Sequence, residues 1–441
     1  MNRTMTTQSL SAVMSLLAAV LLVSPAQAHP HPGRRCLAPN GVDDTQPLQS
    51  ALDRCSGAES WCAVTLCRGT FRTAPLRVGD FQGVLRGARR GSTVVQALPE
   101  LQVNNNPSGY WQDDPLAPGL DPWPYLLQFI GGRGEIRDLT IEIPTPAAGT
   151  RPTQGWTEIY GVTYEIAGAI LLTGEDPVAF DVHDVRVVAG SDPESYLEST
   201  LLSGVSFRGL IHNPADPGGF PVHPVRGQFR FWDSEVTGTM SGTQLGELDG
   251  AEVVVARNDI EALLAVDMLD GSRSRVRVYR NQWDVGFVGV QVILNIDGEP
   301  SLDNTFLVSR NRGTVGPYWG YGSSVYFADS WIHPEPGEST LSVSRNQMTL
   351  GTTEEPAGTG VEAWGAGRLW VGGNRFGGRA AAGIKVDDTS GCRVYGNSLG
   401  GLDTGGGPHL NLGSETSDCV AVVGQDDIVT DNGTNNRIIR R

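Results

Sequence analysis

Val255-Ala256-Arg257-Asn258, Val278-Tyr279-Arg280-Asn281, Val308-Ser309-Arg310-Asn311, Val343-Ser344-Arg345-Asn346, Val371-Gly372-Gly373-Asn374 and Val394-Tyr395-Gly396-Asn397 are six writings of one phrase, Val-x-(Arg or Gly)-Asn. Successive asparagines lie 23, 30, 35, 28 and 23 residues apart, and an apolar residue follows two places later at Ile260, Trp283, Met348, Phe376 and Leu399, with Gly313 the exception. Self-similarity at 20 to 50 residues is the mark of a solenoid or propeller, whose units bury their apolar faces only against one another. The unit here is strand-like. Each phrase ends a short Val-rich run, and asparagine is among the few residues besides glycine that tolerate the left-handed backbone of a tight bend. Stacked asparagines also hydrogen-bond along a stack. The reading is an all-β chain, a single-stranded right-handed parallel β-helix of about ten coils with a short N-terminal capping helix. At the usual strand separation that stack is about 50 Å long.

Working outward, 441 residues exceed one ordinary core, but a solenoid grows by adding coils and needs no second domain. Fifty-seven glycines suit many turns between short strands. Ser9 to Val23 is apolar, preceded by Arg3 and followed by Ala26-Gln27-Ala28, the pattern of a secretory signal cut after Ala28. Loss of that leader removes Arg3 and no acid, so the formal charge goes from −16 to −17. Such acidity speaks against nucleic acid as a partner, and no later span is apolar enough to enter a membrane. Residues 29–71 then form a tail and disulfide-stapled cap, and 72–441 the β-helix. In an oxidising compartment the six cysteines read as disulfides. Cys392 and Cys419, 27 apart, span about one coil and are expected to bridge neighbouring coils. Cys36, Cys55, Cys62 and Cys67 allow three pairings, which the sequence leaves open.

Asp43-Asp44-Thr45 precedes Leu48, Ala51 and Leu52 at helical spacing. Gly69-Thr70-Phe71 closes a strand-like run, and Leu85-Arg86-Gly87 comes before Thr93-Val94-Val95. This opening resembles that of secreted pectate-lyase-like β-helix proteins, and Val429 to Ile438 resembles their last turn. The resemblance implies the fold and a polysaccharide as partner. Specific signatures are missing: there is no Trp-Ile-Asp-His of pectate lyases, and Asp387-Asp388 lacks the Asn-Thr-Asp and Gly-His-Gly segments of polygalacturonases.

Strand text is interrupted near residues 99–124, 144–168, 189–226 and 313–324. Long loops in a compact fold are usually functional or disordered. Trp111, Trp156, Tyr164 and Trp319 sit in these insertions, where aromatic faces can wall a glycan groove or pack on the flank. Asp138 and Asp184 take the corner position in earlier coils.

Alternation assigns faces to the strand ahead of each phrase, since successive side chains point to opposite sides. Val266 and Met268 inward put Asp267 outward. The same logic exposes Asn295, Tyr326 (between Val325 and Phe327), Glu362 (between Val361 and Ala363), Lys385 (between Ile384 and Val386) and Asn411 (between Leu410 and Leu412). Glu247, between Gly246 and Leu248, is expected to head the row. The polar stripe is then Glu247, Asp267, Asn295, Tyr326, Glu362, Lys385 and Asn411, with Asn295, Tyr326 and Asn411 as substrate contacts. Glu247 and Asp267 on adjacent coils would repel unless a cation, a shared proton or catalytic use relieves them, which makes them candidate ligands for Ca2+ or an acid pair. A hydrolase needs one protonated and one ionised carboxyl across the scissile bond. A lyase needs a base beside the uronate carboxylate and a cation to stabilise the developing charge. Some calcium-dependent β-helix lyases use a lysine base, which the resemblance implies for Lys385, the only lysine in the chain.

The histidines have no metal-ligand spacing. Arg257, Arg280, Arg310 and Arg345 recur at one corner and should form a column, able to grip an anionic glycan or to pair with Asp259, Asp284 and neighbouring acids. The best functional reading is a secreted protein that cleaves a uronate-containing glycan by β-elimination, using Lys385, Glu247, Asp267 and Glu362. A glycoside hydrolase and a non-catalytic glycan-binding surface protein are the alternatives.

Overall fold

The computed structural model describes residues 36–98, 125–144, 166–190, 201–209, 224–294, 302–317, 321–329 and 338–441. Thr45–Asp53 is helical and buries Leu48, Ala51 and Leu52 against the first coil. Asp44 ties the helix to that coil by accepting hydrogen bonds from the backbone N–H groups of Asn40 (2.8 Å) and Arg72 (3.1 Å). Everything after it is strand and turn, and every strand pairing is parallel.

Three columns of strands result. The first sheet holds the runs that lead into each phrase, such as Glu252–Ala256, Arg275–Tyr279, Thr305–Ser309, Thr340–Ser344 and Arg368–Gly372. Thirteen strands stack in it, from Cys62–Thr65 to Arg437–Arg440, so the stack rises about 58 Å at 4.8 Å per step. That is three strands more than the repeat spacing suggests. The chain then bends into the second sheet and runs on into the third. In Glu235–Asp249 and Asp259–Ser272 one continuous strand serves both, bulging between Thr237 and Thr239 and between Ala262 and Leu264. Inward side chains of all three sheets form one apolar core along the whole stack, with Phe81, Phe129 and Phe180 packed ring to ring at its N-terminal end.

The repeated phrase is the corner between the first and second sheets. Asn258, Asn281, Asn311, Asn346 and Asn374 are buried, Asn397 at the end is half-buried, and each is in register with the next. Asn281 donates from Nδ2 to Asn311 Oδ1 (3.0 Å), Asn311 to Asn346 (3.0 Å), Asn346 to Asn374 (2.9 Å) and Asn374 to Asn397 (2.9 Å). The same Nδ2 donates to a valine carbonyl one coil back, and the same Oδ1 also accepts a backbone N–H. The left-handed residue is the one before the asparagine, not the asparagine itself. Arg257, Arg280, Arg310 and Arg345 have φ of 56°, 58°, 57° and 57°, and Gly373 and Gly396 have 67° and 62°. This is why the third letter alternates between arginine and glycine: one residue turns the backbone, and the next fills the corner with its amide. Asp138, Asp184 and Asp233 (φ 58°, 51°, 49°) occupy the turning position in earlier coils, so the aspartates belong to the bend and not to the amide stack.

All six cysteines are paired: Cys36 with Cys67, Cys55 with Cys62, and Cys392 with Cys419 across adjacent coils. Cys392 and Cys419 each precede a residue of the paired Arg393 and Val420 and sit fully buried in the inward row. Three disulfides fit an oxidising compartment. Among the described residues no helix is long and apolar enough to cross a membrane.

Candidate functional site

The third sheet presents one unbroken outward row. In register it reads Gln128, Leu171, Ser206, Gln244, Asp267, Gln291, Tyr326, Glu362, Lys385 and Asn411. Asp267, Tyr326, Glu362, Lys385 and Asn411 therefore fall in one line, as alternation requires. Two positions differ. Gln244, not Glu247, stands beside Asp267, because the inward residues there are Thr243 and Leu245 and a threonine does not read as core. Glu247 lies three residues on, at a left-handed bend (φ 47°), with Oε2 3.9 Å from the guanidinium of the buried Arg208. Glu247 and Asp267 are thus not neighbours in the row. Gln291, between inward Val290 and Val292, takes the place expected for Asn295. Asn295 itself, with Trp111, Trp156, Tyr164 and Trp319, lies outside the described residues.

The row has two environments. From Gln128 to Gln291 the third sheet is buried on both faces. Asp267 is 3% exposed, and its carboxyl is pushed up to about 6 by burial, against hydrogen bonds from Gln291 (Nε2 to Oδ1, 3.0 Å), Ser241 and Gln244 and the charge of Arg208. A carboxyl so placed is a desolvated group between two amides, with no second carboxylate at the neighbouring row positions.

From Tyr326 onward the face opens. Lys385 Nζ donates to Glu362 Oε1 at 2.8 Å and sits 4.9 Å from the Trp364 ring centroid. Trp364 is 36% exposed and two places after Glu362 on the same strand, hence on the same face. Extending the alternation one step past Ala363 would have found it. Glu362 Oε2 accepts a long hydrogen bond from Thr359 (3.4 Å), whose hydroxyl shares a hydrogen bond with Ser323 (2.8 Å). Burial and the Glu362 charge push the Tyr326 phenol up to about 12, so it stays protonated and can only give a proton in neutral solution. Asn411 Oδ1, one strand before Thr430 in the same register, is buried without a hydrogen-bond partner among the described residues. Phenol, carboxylate, ammonium and amide thus follow one another at about 4.8 Å intervals, with an indole beside them.

The interval 189–226, expected as one insertion, contains a full third-sheet strand, Leu201–Arg208, in register with Ser241–Gly246. Among the described residues no group of three or more His, Cys, Asp or Glu side chains is placed to hold a metal ion. His183 is held between Glu135 and Asp184 at 2.9 Å each and stacks on Trp232, all on the first sheet.

No family model matches the chain, and no curated protein sequence matches it. Solved structures similar to it in fold include the A-module of the Azotobacter vinelandii mannuronan C-5 epimerase AlgE6, 13% identical, with a TM-score of 0.44 over 91% of this chain and 96% of that one. The Yersinia enterocolitica family 28 exopolygalacturonase is 9% identical, with a TM-score of 0.45 over 91% and 76% of the two chains. DFA-IIIase from Arthrobacter chlorophenolicus A6 is 12% identical, with a TM-score of 0.40 over 91% and 94%. At such identities the likeness is one of fold.

Proposed function

We propose that this is a secreted, polysaccharide-active protein that cleaves a uronate-containing glycan by β-elimination on the open part of the third sheet. The observation that carries this reading is the Lys385–Glu362 pair at 2.8 Å with the Tyr326 phenol on the adjacent strand. An incoming uronate carboxylate takes a share of the Lys385 ammonium, which both binds it and stabilises charge as the neighbouring carbon is deprotonated. Glu362, partly released from Lys385, removes that proton. The electron pair forms the new double bond, the glycosidic C–O bond breaks, and the Tyr326 phenol gives its proton to the departing oxygen. Solvent then returns Glu362 and Tyr326 to their starting states. Trp364 offers a sugar-ring face.

Here Lys385 works as a charged clamp and not as a base, because its ammonium is already held by Glu362 and the Trp364 ring. Asp267 and Glu362 are three strands apart, about 14 Å, too wide for the two carboxyls of a glycosidase. A hydrolase would draw its second carboxyl from Asp387, which is paired with Trp364 one strand beyond Glu362. The deciding experiment incubates the purified protein with a panel of uronate and neutral glycans, following unsaturated-uronate absorbance and total reducing ends, with and without chelator. Absorbance that disappears in Glu362→Gln and Tyr326→Phe supports the reading. Reducing ends without absorbance mean hydrolysis, loss of activity in chelator moves the charge-stabilising role to a metal, and neither signal from any glycan sinks the enzyme reading.

A further inference from the structure

The corner opposite the third sheet carries a feature that glycan cleavage does not use. Arg257, Arg280, Arg310 and Arg345 turn the chain on successive coils, so each arginine position has another as its neighbour about 4.8 Å along the stack. Arg257 is neutralised by Asp233 on the coil before it, through a forked pair at 2.6 and 2.9 Å. That device stops there. Arg280, Arg310 and Arg345 are exposed, as is Arg375, the first second-sheet residue after the Gly373 turn, and among the described residues none of the four has a carboxylate within 4.0 Å. Like charges directly opposite one another on adjacent strands destabilise a sheet, and in a chain of net charge −16 acids were available to relieve them.

Beside this ridge lies an aromatic platform on the first sheet. Trp370 and Tyr395 are 41% and 42% exposed, with ring centroids 5.7 Å apart and planes within 19°. The ridge and the platform meet over Gly372 and Gly373. A Cβ at Gly372 would fall 2.7 Å from Trp370 Nε1 and 3.4 Å from Tyr395 Cζ, so the absence of a side chain there lets both rings lean in. Arg345 Cγ passes 3.6 Å from where a Cβ of Gly373 would stand.

We propose that this corner is a second binding surface, separate from the row on the third sheet, for an anionic polysaccharide lying along the stack. Carboxylates of the chain take the forks of Arg280, Arg310, Arg345 and Arg375, and a sugar ring covers the Trp370–Tyr395 face. A nucleic-acid duplex fits less well, since it presents a charge every ~1.7 Å against one guanidinium per ~4.8 Å and would have to cross the acidic remainder of the surface. Because the corner faces away from the third sheet, it holds the protein on an acidic glycan layer while the other face stays free.

The test is electrophoresis through gels containing polygalacturonate, neutral dextran or double-stranded DNA, with the Glu362→Gln chain as background so that turnover cannot intervene. The expected result is retardation by polygalacturonate alone, weakened about tenfold in apparent affinity by Arg310→Gln/Arg345→Gln and by Trp370→Ala, and reduced by raising salt from 0.05 to 0.5 M, as exposed charge pairs require. Trp370→Tyr, which keeps a ring, should retain binding, and thermal midpoints should stay within a few degrees for all variants. Undiminished retardation of the folded double variant overturns the proposal, as does no retardation of the parent or equal retardation by DNA. Since binding alone is read, failure here leaves the cleavage reading standing, and failure of cleavage leaves this one.

Discussion

Replacing Asn311 by alanine isolates what the stacked corner contributes. The Asn311 side chain is fully buried and makes four hydrogen bonds: Nδ2 donates to Val278 O and to Asn346 Oδ1, and Oδ1 accepts from Asn281 N and Asn281 Nδ2, each at 3.0 Å. Alanine removes all four. Asn346 Oδ1 keeps the Asn311 backbone N–H, Asn281 Nδ2 keeps Val255 O and the Val278 carbonyl keeps its place in the strand ladder, so the group left worst is the Asn281 N–H, with the other three bonds simply lost. At ~1–3 kcal/mol for the orphaned buried group, plus the lost bonds and a small cavity, the loss should be about 3–5 kcal/mol. That is a large part of the ~5–15 kcal/mol that holds a typical domain. Asn397 supplies the control. It ends the stack, is only half-buried, and water can replace what it gives, so Asn397→Ala should cost about 1 kcal/mol. Guanidinium unfolding followed by far-UV circular dichroism and tryptophan fluorescence measures both, with the buried Trp283 one coil away as reporter. Equal costs for the two variants, or under about 1 kcal/mol for Asn311→Ala, would mean that strand pairing alone sets the corner.

Asp267 gives a pH test. Its carboxyl is raised from 3.8 to about 6, so between those values the folded chain holds a proton that the unfolded chain has released, and stability falls as pH rises through that window. Asp267→Asn should remove the penalty, stabilising the protein by about 1–3 kcal/mol at pH 7.5 and hardly at all at pH 4, as compared by thermal midpoints; a gain that is the same at both pH values refutes the assignment. Lys385→Met should lower kcat/KM on a uronate glycan by at least ~100-fold while changing the thermal midpoint by only a few degrees; an unaltered rate removes Lys385 from the site. Cys392→Ala/Cys419→Ala opens a 27-residue loop and should cost about 3.5 kcal/mol in chain entropy, read as an earlier guanidinium transition, and an unchanged transition would show that the bridge constrains nothing.

What could be read from the sequence follows from how each part of the fold is held together. A stacked amide needs the same residue on every coil, so Asn258 to Asn397 announce themselves, whereas Leu139, Val185 and Ser234 take that corner position in earlier coils and leave no repeat to count. The third-sheet row is legible where both inward neighbours are apolar, as around Glu362, Lys385 and Asn411, and slips to Glu247 where Thr243 faces inward. Charge pairing is the least legible, because it depends on what lies one coil back. Arg257 meets Asp233, while Arg280 meets Arg257 and Arg310 meets Arg280, and the same phrase therefore yields one neutral corner followed by a charged one. Within each phrase the asparagine faces inward and fixes the coil spacing, and the residue before it faces outward with freedom to vary. Glycine would satisfy the left-handed backbone there at least as well as arginine, as Gly373 and Gly396 do. Arg280→Gly, Arg310→Gly and Arg345→Gly should accordingly be neutral or stabilising in unfolding experiments while weakening retention on polygalacturonate. If instead they destabilise the fold and leave retention alone, the arginines belong to the architecture and the ridge has no ligand.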